Sequence, residues 1–151
     1  MRDGFLMMDL LRAYYWVDEA LQKGLKARGW GDVSAAQSLV LVNIALGVQR
    51  ASHLARNVGV TRQAMSQMVI DMQQRGLITL EPDPTDGRAQ IVQFSKQSTQ
   101  IRDDAMRILI GIEGELANRI GGVGLHALKG ALAADWGSSP APTVVDRQKT
   151  P

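Results

Sequence analysis

Residues 51–69 read "ASHLARNVGVTRQAMSQMV", and the spacing of their small and apolar side chains resembles that of a helix-turn-helix. Ala55 is small where two helices would cross, and Gly59 supplies the positive φ that a tight turn requires. Val60 and Met65 would then fill the wedge between the helices. Such a pattern also arises by chance in helical proteins. The flanking segments are therefore needed to establish whether it is a helix-turn-helix.

The segment after this turn has the two faces of a recognition helix. Thr61 is a candidate N-cap, and one face is apolar, with Ala64, Met65, Met68, Val69 and Met72. The other face carries side chains that can bond base edges in the major groove, where Gln suits adenine and Arg suits guanine. These are Arg62, Gln63, Ser66 and Gln67. A polar surface without a ligand is the alternative interpretation of this face.

Residues 75–95, "RGLITLEPDPTDGRAQIVQFS", predict a hairpin directly after that helix. Alternating apolar residues mark its two strands: Ile78 and Leu80, then Val92 and Phe94. The connection over residues 83–88 is longer than a two-residue turn, so we expect it to project. Pro84 stiffens it and Gly87 allows a turn conformation closed to other residues. A rigid loop tipped by Arg88 suits the narrow minor groove, which attracts arginine electrostatically. The segment therefore predicts a wing.

Two long amphipathic segments bracket this middle part. Residues 5–28 place apolar side chains at Leu6, Leu10, Tyr14, Val17, Leu21 and Leu25, and residues 96–120 at Ile101, Ala105, Ile108, Ile112, Leu116 and Ile120. Apolar faces this broad need more partner surface than a small domain offers, so we expect packing against another subunit. Ser34 and Ser95 are candidate N-caps, residues 123–135 predict a short final helix, and residues 137–151 predict a disordered tail.

Composition narrows the classes of function. The chain has 151 residues, of which 45% are hydrophobic and 21% charged, which is typical of one soluble globular domain. We expect a cytoplasmic protein, since neither a spanning segment nor a signal peptide is evident. The absence of cysteine excludes disulfides and thiolate chemistry. Only two histidines occur, His53 and His126, without an adjacent nucleophile or carboxylate pattern. We therefore predict no enzyme activity, no cofactor and no metal site.

The charge distribution is compatible with a nucleic-acid partner. The net charge is +2, and residues 50–96 carry five arginines and one lysine against four carboxylates. Arginine suits bidentate contacts to phosphate and to guanine better than lysine does. A solvated surface of mixed charge explains this distribution equally well.

The order of these elements resembles the MarR (multiple antibiotic resistance regulator) family of winged-helix transcription factors over about residues 5–136. The most specific motifs are residues 54–78, "LARNVGVTRQAMSQMVIDMQQRGLI", and residues 83–89, "DPTDGRA", which are followed by "VQFS". The two motifs in this order are much stronger evidence for the resemblance than either motif alone.

The resemblance implies a mainly α fold of the α+β winged-helix type, with six helices and a two- or three-stranded wing. It implies one domain over residues 1–136, with a DNA-binding lobe over about 34–95. It also implies a homodimer formed by N- and C-terminal helices, about 5–28, 96–120 and 123–135. Family members bind pseudo-palindromic double-stranded DNA, usually as repressors, and many release it when a small aromatic effector binds. A winged-helix protein-interaction module without DNA binding is the alternative function.

Matching the family residue by residue implies individual roles. Arg88 would enter the minor groove and Asp86 would hold it, while the major groove would be faced by Thr61, Arg62, Gln63, Ser66 and Gln67. Arg50 replaces the usual Thr or Ser cap and, like His53, would lie near phosphate. Basic residues are common in the family where this chain has Gln67 and Gly87, so we expect a salt slope shallower by roughly one unit per lost phosphate contact.

The site of an effector is the least defined part of the resemblance. Five side chains are candidates for an aromatic-binding pocket: Arg12, Tyr14, Tyr15, Trp16 and Met106. Core and dimer contacts explain their helical spacing equally well. The thiol-oxidation switch of some family members is excluded, because the chain has no cysteine.

Overall fold

The structure is a computed structural model that describes residues 4–140. Over this range the chain forms six α-helices and one antiparallel pair of strands, which confirms the predicted winged-helix class. The elements are α1 Leu6–Ala27, α2 Ala35–Ala45, α3 Ala51–Val58, α4 Arg62–Gln74, β1 Ile78–Asp83, β2 Asp86–Phe94, a 3₁₀ turn Lys96–Ser98, α5 Thr99–Ile120 and α6 Gly122–Ala133.

The helix starts follow the predicted capping residues. Ser34 and Gln37 form a reciprocal capping box at α2. The backbone N–H of Gln37 donates to Ser34 Oγ at 3.2 Å, and the backbone N–H of Ser34 donates to the side-chain Oε1 of Gln37 at 3.0 Å. Thr61 Oγ1 accepts from the Ala64 N–H at 3.1 Å. Ser95 Oγ accepts from the Ser98 N–H at 3.1 Å, so it caps the 3₁₀ turn that leads into α5. Side-chain oxygens thus satisfy backbone donors that a helix start leaves unpaired.

The core is built from helices α1 to α5 and both strands. Its buried members include Leu25, Val40, Ile44, Leu54, Met65, Met72, Ile78, Val92 and Ile101. α1 and α5 approach each other closely at Gly24, where an added Cβ would lie 2.7 Å from Ile108 Cγ2. This separation is shorter than carbon atoms tolerate, so glycine permits the crossing.

The wing is a hairpin with one irregularity. Leu80 pairs with Val92 and Pro82 with Gln90, but the register shifts before Asp83, which pairs with Asp86. Pro84 and Thr85 form a two-residue turn, so the prediction of a longer connection over residues 83–88 was wrong. Gly87 lies within β2 without a positive φ, which corrects its predicted role as a turn residue. Residues 84–88 of the hairpin are exposed to solvent.

The chain divides into two compact units, Met1–Ile112 and Glu113–Pro151. In the described part of the second unit, α6 buries no residue, and Lys129 Nζ pairs with Glu113 Oε2 at 2.6 Å. Residues 137–140 contain no helix or strand, and residues 141–151 of the predicted tail lie outside the described residues. Within residues 4–140, no helix combines the length and apolar character that crossing a membrane requires.

Candidate nucleic-acid interface

The helix-turn-helix has the geometry that its small residues predict. Gly59 adopts φ +77°, ψ +31°, and Ala55 is buried where α3 packs against α4. Met65 is buried and Val60 is half-buried in the wedge between the helices. The Asn57 amide donates to Asn43 Oδ1 at 2.8 Å, which ties α3 to α2. The turn is therefore closed by backbone conformation and held in place by packing and one polar contact.

The polar face of α4 lies open to solvent in its first two turns. Arg62, Gln63, Ser66 and Gln67 are all exposed, as is the cap residue Thr61. Ser66 Oγ donates back to the Arg62 carbonyl at 2.9 Å, so its hydroxyl oxygen still offers lone pairs outward. Met65, Val69 and Met72 are buried on the opposite face, and Met68 is half-buried. Ala64 is exposed, which corrects its predicted place on the apolar face.

A polar network holds the other end of α4. Gln37 Nε2 donates to Asp71 Oδ2 at 2.7 Å, and Arg75 Nη1 donates to Gln37 Oε1 at 3.1 Å. Arg75 also pairs with Asp32, with 2.8 Å between Nη2 and Oδ2. Because Gln37 is buried, its hydrogen bonds are less exposed to competition from water. The polar face of α4 thus belongs to a helix that is anchored at its far end to the start of α2.

The wing places Arg88 on its exposed surface. Asp86 Oδ1 accepts from the backbone N–H of Arg88 at 3.1 Å, so Asp86 holds the backbone of this residue rather than its guanidinium. The hairpin is joined to the helix-turn-helix by a backbone bond of 2.8 Å from the Val92 N–H to the Gln49 carbonyl.

Arg50 and His53 lie on the side of α3 that faces the wing. Together with Asp83, Pro84 and Thr85 they line an open cleft of about 420 Å³. Arg50 is the N-cap residue of α3, but its side chain does not cap the helix; its Nη2 pairs with Asp83 Oδ2 at 2.7 Å. His53 is exposed.

A second cavity, of about 430 Å³, lies in the first unit between the C-terminal half of α1, α2, α5 and the end of β2. Its lining is apolar except for Ser38 and Arg102. The Arg102 guanidinium carbon sits 4.5 Å from the centre of the Phe94 ring, which is a cation–π arrangement.

Of the five predicted effector residues, one lines this cavity and four do not. Met106 lines the cavity, whereas Arg12, Tyr14, Tyr15 and Trp16 belong to an earlier part of α1 that does not line it. Arg12 pairs with Asp9, and the Tyr14 and Tyr15 rings are 5.7 Å apart. Burial raises the pKa of Tyr14. In the single chain, therefore, only Met106 of the five belongs to the cavity.

Comparisons with known proteins agree with this arrangement. A model of the MarR family matches residues 32–89, which include α2 to α4 and the wing tip. MarR from E. coli in its apo form superposes with a TM-score of 0.67 at 19% identity, covering 87% of this chain and 96% of that one. This chain has the winged-helix fold of MarR, and residues 32–89 resemble the MarR family in sequence.

Two further structures share the MarR-family fold. CouR from Rhodococcus jostii RHA1, bound to p-coumaroyl-CoA, gives a TM-score of 0.61 at 22% identity and covers 82% of this chain and 85% of that one. NadR in complex with 4-hydroxyphenylacetate gives 0.69 at 13% identity, covering 88% and 93%. At these identities the likeness concerns the fold. No curated protein sequence matched the chain.

Sequence reasoning missed two parts of this winged-helix structure. The first is the Arg50–Asp83 pair, whose members are separated by 33 residues and belong to no common helical or strand period. The second is the pair formed by Arg102 and Phe94 in the apolar cavity. A partial signal existed for the second, because Arg102 and Met106 are four residues apart and therefore share a face of α5. Within residues 4–140, no group of three His, Asp or Glu side chains is arranged to hold a metal ion.

Proposed function

We propose that this chain is a sequence-specific DNA-binding transcriptional regulator. One observation carries the proposal: the first two turns of an anchored helix present Arg62, Gln63 and Gln67 to solvent, next to a wing that exposes Arg88. Within residues 4–140, the side chains of Arg62, Gln63 and Gln67 form no hydrogen bond or ion pair, so their donors and acceptors are available to base edges. A helix of this kind reads the major groove while an arginine enters the minor groove.

We further propose that the regulator binds a pseudo-palindromic operator as a homodimer and represses a nearby operon. Large apolar side chains on the terminal helices support the dimer, since they are exposed in the single chain: Leu6, Met7, Met8, Leu11, Ile110, Val123, Leu128 and Leu132. Large exposed apolar side chains on one helix are frequent at association sites. A two-fold dimer presents two recognition helices, which suits a two-fold operator.

The DNA-binding proposal is tested by selecting bound duplexes from random sequence and measuring the recovered site. We expect salt-sensitive binding to a palindrome, and Arg88→Ala should weaken it and lower the salt slope by roughly one unit for each wing that contacts DNA. Lys23→Ala is the matched control, because it removes one exposed positive charge from α1, outside the winged-helix lobe. If no duplex is enriched at low salt, the chain is a protein-interaction module instead.

A small aromatic acid is the effector that the apolar cavity favours. A cavity of about 430 Å³ lies within the roughly 300–1,000 Å³ that is usual for ligand sites. Its apolar lining suits a ring, and the guanidinium of Arg102 is the one charged group in the lining, suited to a carboxylate. Two proteins of the same fold were crystallised with aromatic ligands, p-coumaroyl-CoA and 4-hydroxyphenylacetate.

Calorimetry with 4-hydroxyphenylacetate as the probe tests this effector site. We expect binding that Arg102→Ala weakens and Arg107→Ala does not, because Arg107 lies on the same helix but does not line the cavity. Bound probe should also weaken the DNA complex. Equal affinity of the two variants for the probe would contradict a role for Arg102.

A further inference from the structure

The carboxylate of Asp83 is held from two directions at the tip of the wing. Its Oδ1 accepts from the Thr85 N–H at 2.8 Å and from Thr85 Oγ1 at 2.7 Å, while its Oδ2 accepts from Arg50 Nη2 at 2.7 Å. The Asp83 side chain is only 5% exposed, although the residues around it at the tip are open to solvent. The turn of the wing and the N-cap residue of α3 are therefore joined through one buried carboxylate.

A second connection joins the same two regions nearer the base of the wing. Gln49, the neighbour of Arg50, accepts a backbone hydrogen bond of 2.8 Å from Val92 of β2. Val92 pairs with Leu80, which precedes Asp83 by three residues on β1. At a rise of about 3.3 Å per residue, the two connections are roughly 10 Å apart along the hairpin. A hairpin held to α3 at one point can change its orientation relative to that helix, whereas two separated contacts restrict this motion.

The side chain of Arg50 is available for this contact because a guanidinium has no acceptor atom with which to cap the helix. An N-cap residue normally bonds a backbone N–H of the first helical turn, but Arg50 makes no such bond. The register shift between Pro82 and Asp83 accompanies the inward placement of the carboxylate that it meets. The contact thus joins an arginine at the N-cap position to a carboxylate beside the register shift at the wing tip.

We propose that Arg50 is a positioning residue for the wing: through Asp83 and Thr85 it fixes the tip against α3, so that Arg88 is presented at a set place relative to α4. This inference rests on the proposed DNA-binding function and assigns Arg50 a role other than a direct phosphate contact. The two roles differ in what they predict for Asp83. If Arg50 is a phosphate ligand held back by Asp83, neutralising the aspartate strengthens DNA binding; if Arg50 positions the wing, the same change weakens it.

The first experiment measures operator binding by Asp83→Asn, which keeps the shape of the side chain and removes its charge. We expect binding about tenfold weaker and a flatter salt slope, even though the variant carries one more net positive charge. Glu81→Gln makes the same charge change at an exposed position of β1 and should bind like the wild type. Binding by folded Asp83→Asn that equals or exceeds that of the wild type would overturn the proposal.

A double-mutant cycle separates positioning from a general loss of stability. In the wild-type background Arg88→Ala should weaken DNA binding, and in the Asp83→Asn background the same change should have a smaller effect, because an unfixed wing already presents Arg88 poorly. Arg50→Ala should behave like Asp83→Asn, and Arg50→Lys should recover part of the affinity by keeping an ion pair. Additive effects of the Asp83 and Arg88 changes would contradict the positioning role.

Amide hydrogen exchange in the free protein tests the contact without DNA. Exchange over residues 85–88 should be faster in Asp83→Asn and in Arg50→Ala than in the wild type, while Glu81→Gln leaves it unchanged. Unchanged exchange in both variants would overturn the proposed contact whatever their DNA affinity. If the wild type binds no DNA, the proposed function fails, and this measurement still decides whether Arg50 and Asp83 restrain the wing.

Discussion

The winged-helix lobe and the terminal helices use apolar residues in opposite ways. In the lobe, the short helix α3 buries Leu54 and Ala55, and α4 buries Met65, Val69 and Met72, so the apolar faces are covered within the chain. The twelve residues of α6 bury none, and its Val123 is 87% exposed. The lobe therefore contributes its apolar faces to the core, whereas the terminal helices also carry apolar surface that the described chain leaves uncovered.

Helix α1 has a buried apolar part and an exposed apolar part. Leu21 and Leu25, in its C-terminal half, belong to the core, but Leu6, Met7 and Leu11, in its N-terminal half, are exposed. A continuous apolar stripe predicts a buried face without saying which molecule buries it. The difference between the two regions thus separates residues that stabilise the fold from residues that are available for association.

The largest expected effect comes from truncating one leucine in each region. Leu54→Ala, at a fully buried position, should lower the free energy of unfolding by about 2–5 kcal/mol, because it removes apolar contacts and leaves a cavity. Leu132→Ala, at a position 46% exposed, should change the stability of the monomer by less than about 0.5 kcal/mol. Urea unfolding at several protein concentrations checks both values. Equal losses in dilute monomer would remove the distinction between the regions.

The next effect concerns association through the terminal helices. Leu11→Lys places a charge on the exposed apolar face of α1 and should weaken dimerisation by about ten- to a hundredfold, since an unpaired charge would be buried at the interface. Glu19→Lys adds a lysine to the same helix where an exposed ion pair with Lys23 lies, and it should leave the dimer intact. Sedimentation velocity measures both constants. A Leu11→Lys protein that dimerises like the wild type would exclude this face from the interface.

The smallest expected effect is a dependence on pH within the lobe. Hydrogen bonds from the Thr85 hydroxyl and amide, followed by that from Arg50, lower the pKa of Asp83 to about 2 from an ordinary value of 3.8. Since the folded-state pKa is the lower one, the ionised carboxylate stabilises the fold above the unfolded pKa, and this contribution is lost as the pH falls through the folded value. The stability difference between wild type and Asp83→Asn should therefore shrink between about pH 4 and pH 2.

Urea unfolding across this pH range measures that difference. Thr85→Val removes the donor with the largest influence on the Asp83 carboxylate, so in that background the pKa of Asp83 should rise toward its ordinary value. The stability difference should then be smaller, and its decrease should be complete at a higher pH. A difference that is independent of pH in both backgrounds would show that the contacts of Asp83 do not favour its ionised form.

Local patterns predicted the helix-turn-helix because each feature has a local cause. Gly59 occupies the left-handed conformation that the turn requires, and Thr61 caps α4 through a neighbour three residues away. The wing turn was mispredicted for an equally local reason: Pro84 and Gly87 are both frequent in turns, but strand pairing extends to Asp86 and includes Gly87 in β2. Cross-strand pairing overrides the preference of a single residue.

The contacts that sequence reasoning could not supply join distant segments. Arg50 meets Asp83 only because the hairpin folds back on α3, and no period along the chain relates the two positions. The apolar cavity likewise collects residues from α1, α2, β2 and α5. The aromatic residues of α1 were candidates on chemical type, yet their distance along the helix from Leu21 and Leu25 places them outside the cavity lining.

Under the proposed function, the two attachments of the hairpin affect how much conformational freedom the wing loses when it binds a duplex. A loop that is ordered only on binding loses backbone and side-chain entropy at that moment, which weakens the complex. In the proposed arrangement, the Gln49 bond and the contacts of the Asp83 carboxylate order the tip in the free protein, before any DNA is bound. The entropic cost is then borne in folding, so one arginine on a pre-ordered arm can contribute affinity that a looser wing would obtain only from additional charges.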